Sequence, residues 1–236
     1  MRVLTALTQA DLNDVTAAAR AAEAAGYDGL LTMENKHNPF LALGVAAVAT
    51  TRVELATGVA IAFPRSPMVT ASVAFDLQRA SRGRFVLGIG PQVRAHNEKR
   101  FSVPWTAPAP RMREYVEGMR AIWRAWERDD KLDYRGQHYT FTLMTPNFRP
   151  SPSGQPMVPV TLAAVGPHML RLSGEIADGV RLHPLCTQRY LDDAVLPLVA
   201  EGLAKGGRPR EHFEISGGDE AAVQKMFEWV RYRVAF

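Results

Sequence analysis

The sequence predicts an α/β fold in which parallel strands alternate with helices. Short apolar runs bounded by glycine, typical of strands buried on both faces, alternate with segments of helical periodicity. Polar side chains follow several of these runs directly, where parallel α/β folds keep their ligand groups. The 236 residues, 47% of them hydrophobic, suffice for one large core and match the usual size of an α/β barrel. We therefore expect a single domain over 1–236.

Four strands and three helices alternate before Gly90. The strands are predicted from apolar runs, and the helices from apolar residues three or four positions apart. Gly26 ends the first helix, and Gly58 interrupts the third strand, which indicates either a bulge or a bend of the sheet. The predicted strands are 3–7, 28–33, 53–61 and 85–89, and the helices are 11–25, 39–50 and 68–82.

The middle of the chain departs from this alternation. Three prolines in 104–110 precede an amphipathic helix over 111–126, whose stripe of aromatic and Met residues predicts core packing. The segment LDYRGQHYTF then predicts a hairpin turning at Arg135 and Gly136, and the following stretch is too rich in proline for regular structure. We interpret 129–156 as an insertion in which Tyr139, Phe141 and Phe148 cover a site; an ordinary surface excursion is the alternative.

The alternation resumes at Met157. It predicts strands at 158–164, 178–182 and 213–216, and helices at 168–176, 189–205 and 219–236. The total is seven strand–helix units, one fewer than a closed eight-stranded barrel. We therefore expect that an eighth unit, and an ordered loop near Gly218, are absent from the chain.

The leading site candidate runs from Gly90 to Glu98, directly after the fourth strand. Gln92, Arg94, His96 and Asn97 crowd into this segment. A capped, solvated first turn of a helix is the alternative interpretation.

Two further segments follow strands in the same way. Glu34 and Asn35 come after the second strand, with Lys36 and His37 beside them. Gly166 opens the helix after the fifth strand, where backbone amides can receive a phosphate or another anion.

Composition excludes several classes of function. Lys and Arg number 28 against 24 acidic residues, a net charge of +4, and without a basic run they predict no nucleic-acid surface. The single cysteine, Cys186, allows no internal disulfide and fits a reducing compartment. No apolar run approaches membrane-spanning length, so we expect a cytoplasmic protein without membrane association. The histidines show no paired ligand spacing, so we predict no metal.

Several segments together resemble the bacterial luciferase-like superfamily of flavin and deazaflavin oxidoreductases. The resemblance is greatest to the branch described as coenzyme F420-dependent oxidoreductases, and it covers nearly the whole chain in order. The segments that carry it are AAEAAGYDGLLTMEN, VELATGVAIAFPRSPMVTA, LQRASRGRFVLGIG with QVRAHNEKRF, PRMREYVEGMRAIW, YRGQHYTF and VTLAAVGPHMLRLSGEIADGVRLH. The resemblance implies a (β/α)8 TIM barrel of the luciferase-like type.

The resemblance also implies roles for individual residues. Relatives often have a non-proline cis peptide in the third strand against the ring, which here is the bond from Gly58 to Val59. Asn35, like Glu34, matches positions that contact the ring or the substrate, and Asn97 matches a polar residue near the ribityl chain. The further cofactor-binding candidates are Gly90, Gln92, Ala164, Val165 and Gly166, the last three in the turn that holds the phosphate side. Pro91 departs from the family pattern, because it lacks an amide donor and a hydroxyl.

The function implied is hydride transfer between the C5 position of coenzyme F420 and a small organic substrate. Glu34, His96 and Glu98 are the candidates for the acid–base residue, and the resemblance does not choose among them. The nearer alternative is an FMN-dependent monooxygenase, and the second is a non-catalytic flavin-binding barrel. Related proteins are often dimers, so we expect a homodimer.

Overall fold

The computed structural model describes residues 2–217 and divides there into two units, the first ending at Val160 and the second beginning at Thr161. The predicted last helix, 219–236, and the loop expected near Gly218 lie outside the described residues. Within residues 2–217, no helix combines the length and the apolar character needed to cross a bilayer.

Parallel strands form the centre of the first unit. Strand β1 pairs with β2, β2 with β3, and β5 with both β3 and β4. The apolar runs read in the sequence supply the buried side chains, among them Leu30, Leu55 and Phe85, which are completely buried. The strands are β1 (Leu4–Ala6), β2 (Gly29–Thr32), β3 (Glu54–Thr57), β4 (Ala60–Ile61) and β5 (Phe85–Gly90).

Helices follow the strands closely where the sequence places them. Asp11 caps α1 by accepting a hydrogen bond from the Asn13 amide, and Ser66 caps α3 in the same way. The fifth helix begins three residues earlier than predicted, because proline is well tolerated at a first helical position. The helices are α1 (Leu12–Ala24), α2 (Leu41–Ala49), α3 (Pro67–Ala80), α4 (Arg94–Lys99) and α5 (Pro108–Arg128). The predicted apolar stripe of α5 is buried throughout, at Met112, Tyr115, Met119, Ile122, Trp123 and Trp126.

The predicted hairpin is present, but its turn is wider than expected. Strands β6 (Tyr134–Arg135) and β7 (Thr140–Phe141) pair antiparallel, with Arg135 opposite Thr140, so the turn comprises 136–139. The Glu114 carboxylate on α5 accepts hydrogen bonds from the backbone amides of 137, 138 and 139. These bonds satisfy three amides of the four-residue turn. The sequence pattern alone did not reveal this role of Glu114.

The rest of the insertion packs along helices α3 and α5. The Glu127 carboxylate accepts hydrogen bonds from the Ser153 amide and hydroxyl, and Gln78 of α3 donates to the Pro156 carbonyl at 3.0 Å. These contacts tie 153–156 to the helices. Phe148 borders a cleft beside α3 and α5, and the role of the insertion as the cover of a site stays a prediction.

The second unit continues the strand–helix alternation. Its strands are β8 (Val160–Ala163), β9 (Gly179–Arg181) and β10 (Glu214–Ser216), with β9 parallel to both others. Its helices are α6 (Pro167–Ile176), α7 (Gln188–Tyr190) and α8 (Leu196–Gly206). The helix predicted over 189–205 contains a π-helical turn at Leu191–Val195, because Pro197 cannot supply the amide that a regular α-helix needs there.

Helices α6 and α8 approach each other closely at glycines. A Cβ atom on Gly202 would lie 2.1 Å from the Arg171 carbonyl oxygen, and one on Gly174 would lie 2.3 Å from the Val199 carbonyl oxygen. Arg171 also forms an ion pair with Glu201 across this contact. Backbone therefore touches backbone along the contact between α6 and α8.

Candidate active site

A half-buried ion pair joins the ends of strands β2 and β4. Arg65 donates Nη1 to Oε2 and Nη2 to Oε1 of Glu34, each at 2.7 Å. The Ile61 amide also donates to Glu34 Oε2 at 2.7 Å, and the guanidinium lies 5.5 Å from the centre of the Phe40 ring. This bidentate geometry fixes both strand ends, because such pairs are strong and directional. We call the carboxyl ends of β2, β4 and β5, with the loops that follow them, the carboxyl edge.

The peptide bond between Gly58 and Val59 is cis, as the resemblance implied. The Gly58 amide donates to the Thr32 carbonyl at 2.7 Å, and a Cβ atom at this position would come within 3.2 Å of the Leu31 side chain. Thr57 exchanges two hydrogen bonds with the Gly88 backbone. The backbone at Gly58 and Val59 is therefore held firmly while it remains partly open to solvent.

The segment 90–98 forms a turn and the short helix α4. Gly90 is buried at the end of β5, and its carbonyl accepts from the Ala62 amide. Gln92 has a φ of 61°, a conformation that non-glycine residues adopt uncommonly, and its side chain accepts from the Val93 amide. Gln92 thus shapes the turn that starts α4.

Asn97 is completely buried within this turn. Its Nδ2 donates to the carbonyls of Pro91 at 2.9 Å and Val93 at 3.1 Å. These two bonds orient the carboxamide and leave Oδ1 without a partner among residues 2–217. A buried acceptor without a donor is costly, so Asn97 Oδ1 is the strongest sign at the carboxyl edge of a missing ligand group.

The three acid–base candidates lie in different environments. Both oxygens of Glu34 accept bonds from Arg65, so the carboxylate serves to position the strand ends. Exposed Glu98 accepts from Arg94 one helical turn away, at 2.9 Å. His96 is exposed, and within residues 2–217 its imidazole has no hydrogen-bond or ion-pair partner. Of the three, His96 has the least engaged side chain.

Asn35 is exposed beside Glu34. Its Oδ1 accepts from the Lys36 amide at 2.6 Å, and its carbonyl accepts from Arg100 at 2.8 Å. Arg100 follows α4, so this bond joins the loop after β2 to the segment after β5. The structure thus brings Asn35 and the 90–98 segment together, as parallel strand ends require.

Sequence reasoning missed an aromatic cluster around Arg111. Its guanidinium lies between two rings, 4.3 Å from the centre of Phe63 and 5.7 Å from that of Tyr139, and Nε donates to the Tyr139 hydroxyl at 2.9 Å. Trp105 meets Phe63 edge to face at 6.4 Å. Burial raises the pKa of Tyr139, while Arg111 partly opposes the shift. The cluster connects the hairpin turn to the loop after β4, and aromatic spacing gave no signal of it.

In the second unit, the turn after β8 borders a small apolar pocket. Ala164 is buried, and the exposed Val165 accepts a hydrogen bond at its carbonyl from the Tyr190 hydroxyl. Gly166 caps α6, and Pro167 at its first position supplies no amide donor. The pocket, of about 140 Å³, is lined by Ala164, Val165, Leu182, His183, Leu185, Cys186 and Tyr190.

The residues of the carboxyl edge fit a planar, hydroxylated cofactor better than a metal. The partly open backbone at Gly58 can approach a flat ring, and Asn97 Oδ1 can accept from a hydroxyl or a ring N–H. Among the described residues, no three His, Cys, Asp or Glu side chains cluster closely enough to hold a metal ion. The edge is therefore suited to an organic cofactor.

Comparison with known proteins gives consistent matches. The family model described as luciferase-like monooxygenase matches residues 2–225. An uncharacterized protein of Mycobacterium tuberculosis is 46% identical over 231 residues, covering 92% of this chain and 68% of that protein. The 5,10-methylenetetrahydromethanopterin reductase of Archaeoglobus fulgidus is 29% identical over 208 residues, covering 87% of this chain. The match spans only 59% of that reductase's length.

Among solved structures, an F420-dependent secondary alcohol dehydrogenase in complex with an F420–acetone adduct is similar to this chain with a TM-score of 0.75. The match covers 92% of this chain and 68% of the dehydrogenase at 22% identity, so it shows the fold alone. The predicted barrel class is thereby confirmed.

Proposed function

This chain belongs to the luciferase-like monooxygenase family, and on that basis we propose that it is a coenzyme F420-dependent oxidoreductase. The proposed reaction is hydride transfer between the deazaflavin C5 position and a small organic substrate. The observation that carries the proposal is the buried, unpartnered Oδ1 of Asn97 at the carboxyl edge. Similarity to a methanopterin reductase favours a reductase within the family.

Each group at the carboxyl edge has a distinct task in this proposal. Asn97 accepts a hydrogen bond from a cofactor hydroxyl or ring N–H, and the backbone at Gly58 and Val59 supports the ring. Glu34 and Arg65 hold the strand ends in place. F420, when bound, supplies the hydride chemistry that no amino-acid side chain provides. The assignment of Ala164, Val165 and Gly166 to the phosphate side stays a prediction.

We assign proton transfer to His96. Imidazole is suited to this task because one ring nitrogen can donate a proton while the other accepts one. His96→Gln should lower kcat, while Glu98→Gln on the same helix should leave kcat unchanged. Equal loss of activity in both variants would overturn this assignment.

The deciding experiment is a pair of fluorescence titrations of the purified protein, one with F420 and one with FMN, at equal ionic strength. Tight binding of F420 with weak binding of FMN is the expected result. Preference for FMN would contradict the proposal, and binding of neither would favour a non-catalytic barrel.

The rival function is an FMN-dependent monooxygenase, which the description of the matching family favours. It predicts oxygen uptake that depends on reduced FMN, whereas a deazaflavin hydride-transfer enzyme consumes substrate at the same rate without oxygen. Turnover under argon therefore separates the two functions.

The assembly and location belong to the proposal as well. We expect a homodimer, which light scattering during size-exclusion chromatography will show as twice the chain mass. Cytoplasmic location stays a prediction.

A further inference from the structure

A cleft of about 300 Å³ opens beside helices α3 and α5, in the first unit. None of its residues belongs to the carboxyl edge or to the Arg111 cluster. Its volume is at the lower end of the range for small-molecule sites. Its walls come from α3, from α5, and from the 3₁₀ turn Pro146–Phe148 with the loop after it. The lining residues are Ser72, Phe75, Asp76, Trp126, Asn147, Phe148, Arg149 and Pro150.

Trp126 lines this cleft, and its indole N–H is an unsatisfied donor. The side chain is 98% buried, and its Nε1 has no acceptor among residues 2–217. Trp123, one turn earlier on α5, shows the usual arrangement, because its Nε1 donates to the Ala71 carbonyl at 3.0 Å. Of these two neighbouring tryptophans, Trp126, which lines the cleft, is the one whose indole N–H lacks an acceptor among residues 2–217.

The cleft also carries a carboxylate that could pair with a cation. Asp76 is exposed on α3, and the described part of the chain offers its carboxylate no cation and no hydrogen-bond donor. The neighbouring Arg149 is engaged elsewhere, since it pairs with Asp129 and donates to the Asp130 carbonyl at 3.2 Å. A ligand cation can therefore approach Asp76 without competition from Arg149.

Aromatic rings supply the apolar part of the cleft. Phe75 and Trp126 pack edge to face at 5.2 Å. Phe148 exposes 80% of its surface, the highest exposure of any large hydrophobic residue described. A ligand with an apolar body would remove Phe148 from water, which is favourable in proportion to the area covered.

We propose that this cleft binds a small organic cation that carries an apolar body and a carbonyl oxygen. The carbonyl oxygen accepts from Trp126 Nε1, the ammonium group pairs with Asp76, and the apolar body lies against Phe148. This site is separate from the proposed F420 chemistry, and its test requires neither cofactor nor turnover.

The probe is L-phenylalaninamide, which has all three features. Two analogues of the probe each lack one feature: 3-phenylpropanamide has no ammonium group, and phenethylamine has no carbonyl. The readout is the indole N–H signal of Trp126 in a ¹H–¹⁵N spectrum, identified among the signals of four tryptophans by the variant Trp126→Phe. We expect a saturable downfield shift of that signal with L-phenylalaninamide and a smaller shift with either analogue.

Two variants at exposed positions test the site without disturbing the folding of the core. Asp76→Asn should weaken binding of L-phenylalaninamide by about fivefold, the upper range for a single exposed ion pair. Asp14→Asn, which removes an exposed helical aspartate elsewhere, should leave binding unchanged. An unshifted Trp126 signal at saturating probe, or equal binding by both aspartate variants, would overturn the proposal.

Discussion

Replacing Gly202 with alanine tests whether the contact between α6 and α8 depends on the absence of a side chain. The new Cβ would lie 2.1 Å from the Arg171 carbonyl oxygen, where an ordinary carbon–oxygen contact is about 3.4 Å. The helices must therefore separate by about 1.3 Å, because neither backbone atom can rotate away. Separation also weakens the packing at Gly174 on the same contact.

The expected cost follows from two opposing effects. Overpacking of a tightly packed region costs about 3 kcal/mol at the upper end of its usual range. Alanine in place of glycine inside a helix raises the free energy of unfolding by about 1 kcal/mol, because alanine has the higher helix propensity. The free energy of unfolding should thus fall by about 2 kcal/mol, which lowers the Tm of a chain of this size by about 4–8 °C.

The matched control is Gly44→Ala in α2, where a Cβ atom would meet nothing within 4 Å. This variant should be as stable as the wild type or more stable by up to about 1 kcal/mol. Urea unfolding followed by circular dichroism measures both variants. Gly202→Ala with wild-type stability would falsify the reasoning, as would a loss of equal size in the control.

Three further predictions concern single side chains. Burial acts to raise the pKa of Glu114, but the hydrogen bonds from the amides of 138, 137 and 139 outweigh it and lower the pKa below the ordinary value of a glutamate. These amides should therefore lose hydrogen-exchange protection only as pH falls through that lowered pKa. Glu114→Ala, which has no acceptor at this position, should lose that protection already at pH 7. Arg84→Met should lower the free energy of unfolding by about 3 kcal/mol, since it deprives four backbone carbonyls and a threonine hydroxyl of their donor; wild-type stability in urea would contradict this. Arg65→Lys should weaken F420 binding about tenfold, because lysine cannot hold Glu34 bidentately. Arg124→Lys, at an exposed position on α5, is the control, and equal affinities of the two variants would refute the role.

The sequence pattern predicted most of the fold. Apolar runs and helical periodicity located every described strand and all the longer helices, since both report burial along the local chain. The pattern was less accurate where a distant side chain intervened. The hairpin turn is wider than expected because Glu114 satisfies its amides, and Phe148 lies beside α3 because contacts such as that of Ser153 with Glu127 tie the insertion to the helices.

The candidate site was predicted only in part. The sequence indicated that polar groups follow β2 and β5, and the structure brings these two segments together at the bond between Asn35 and Arg100. It did not reveal the cluster around Arg111, whose rings come from segments far apart in the chain.

By itself, the sequence determined the alternation of strands and helices, the family, and the position of the cis bond after Gly58. Only the tertiary structure decided which polar groups are already engaged and which remain open to a ligand. Glu34 pairs with Arg65, 31 positions along the chain, whereas Asn97 Oδ1 and Trp126 Nε1 are buried without partners among residues 2–217. The physical reason is that periodicity reports whether a side chain is buried, while its hydrogen-bond partner depends on which distant segments the fold brings beside it.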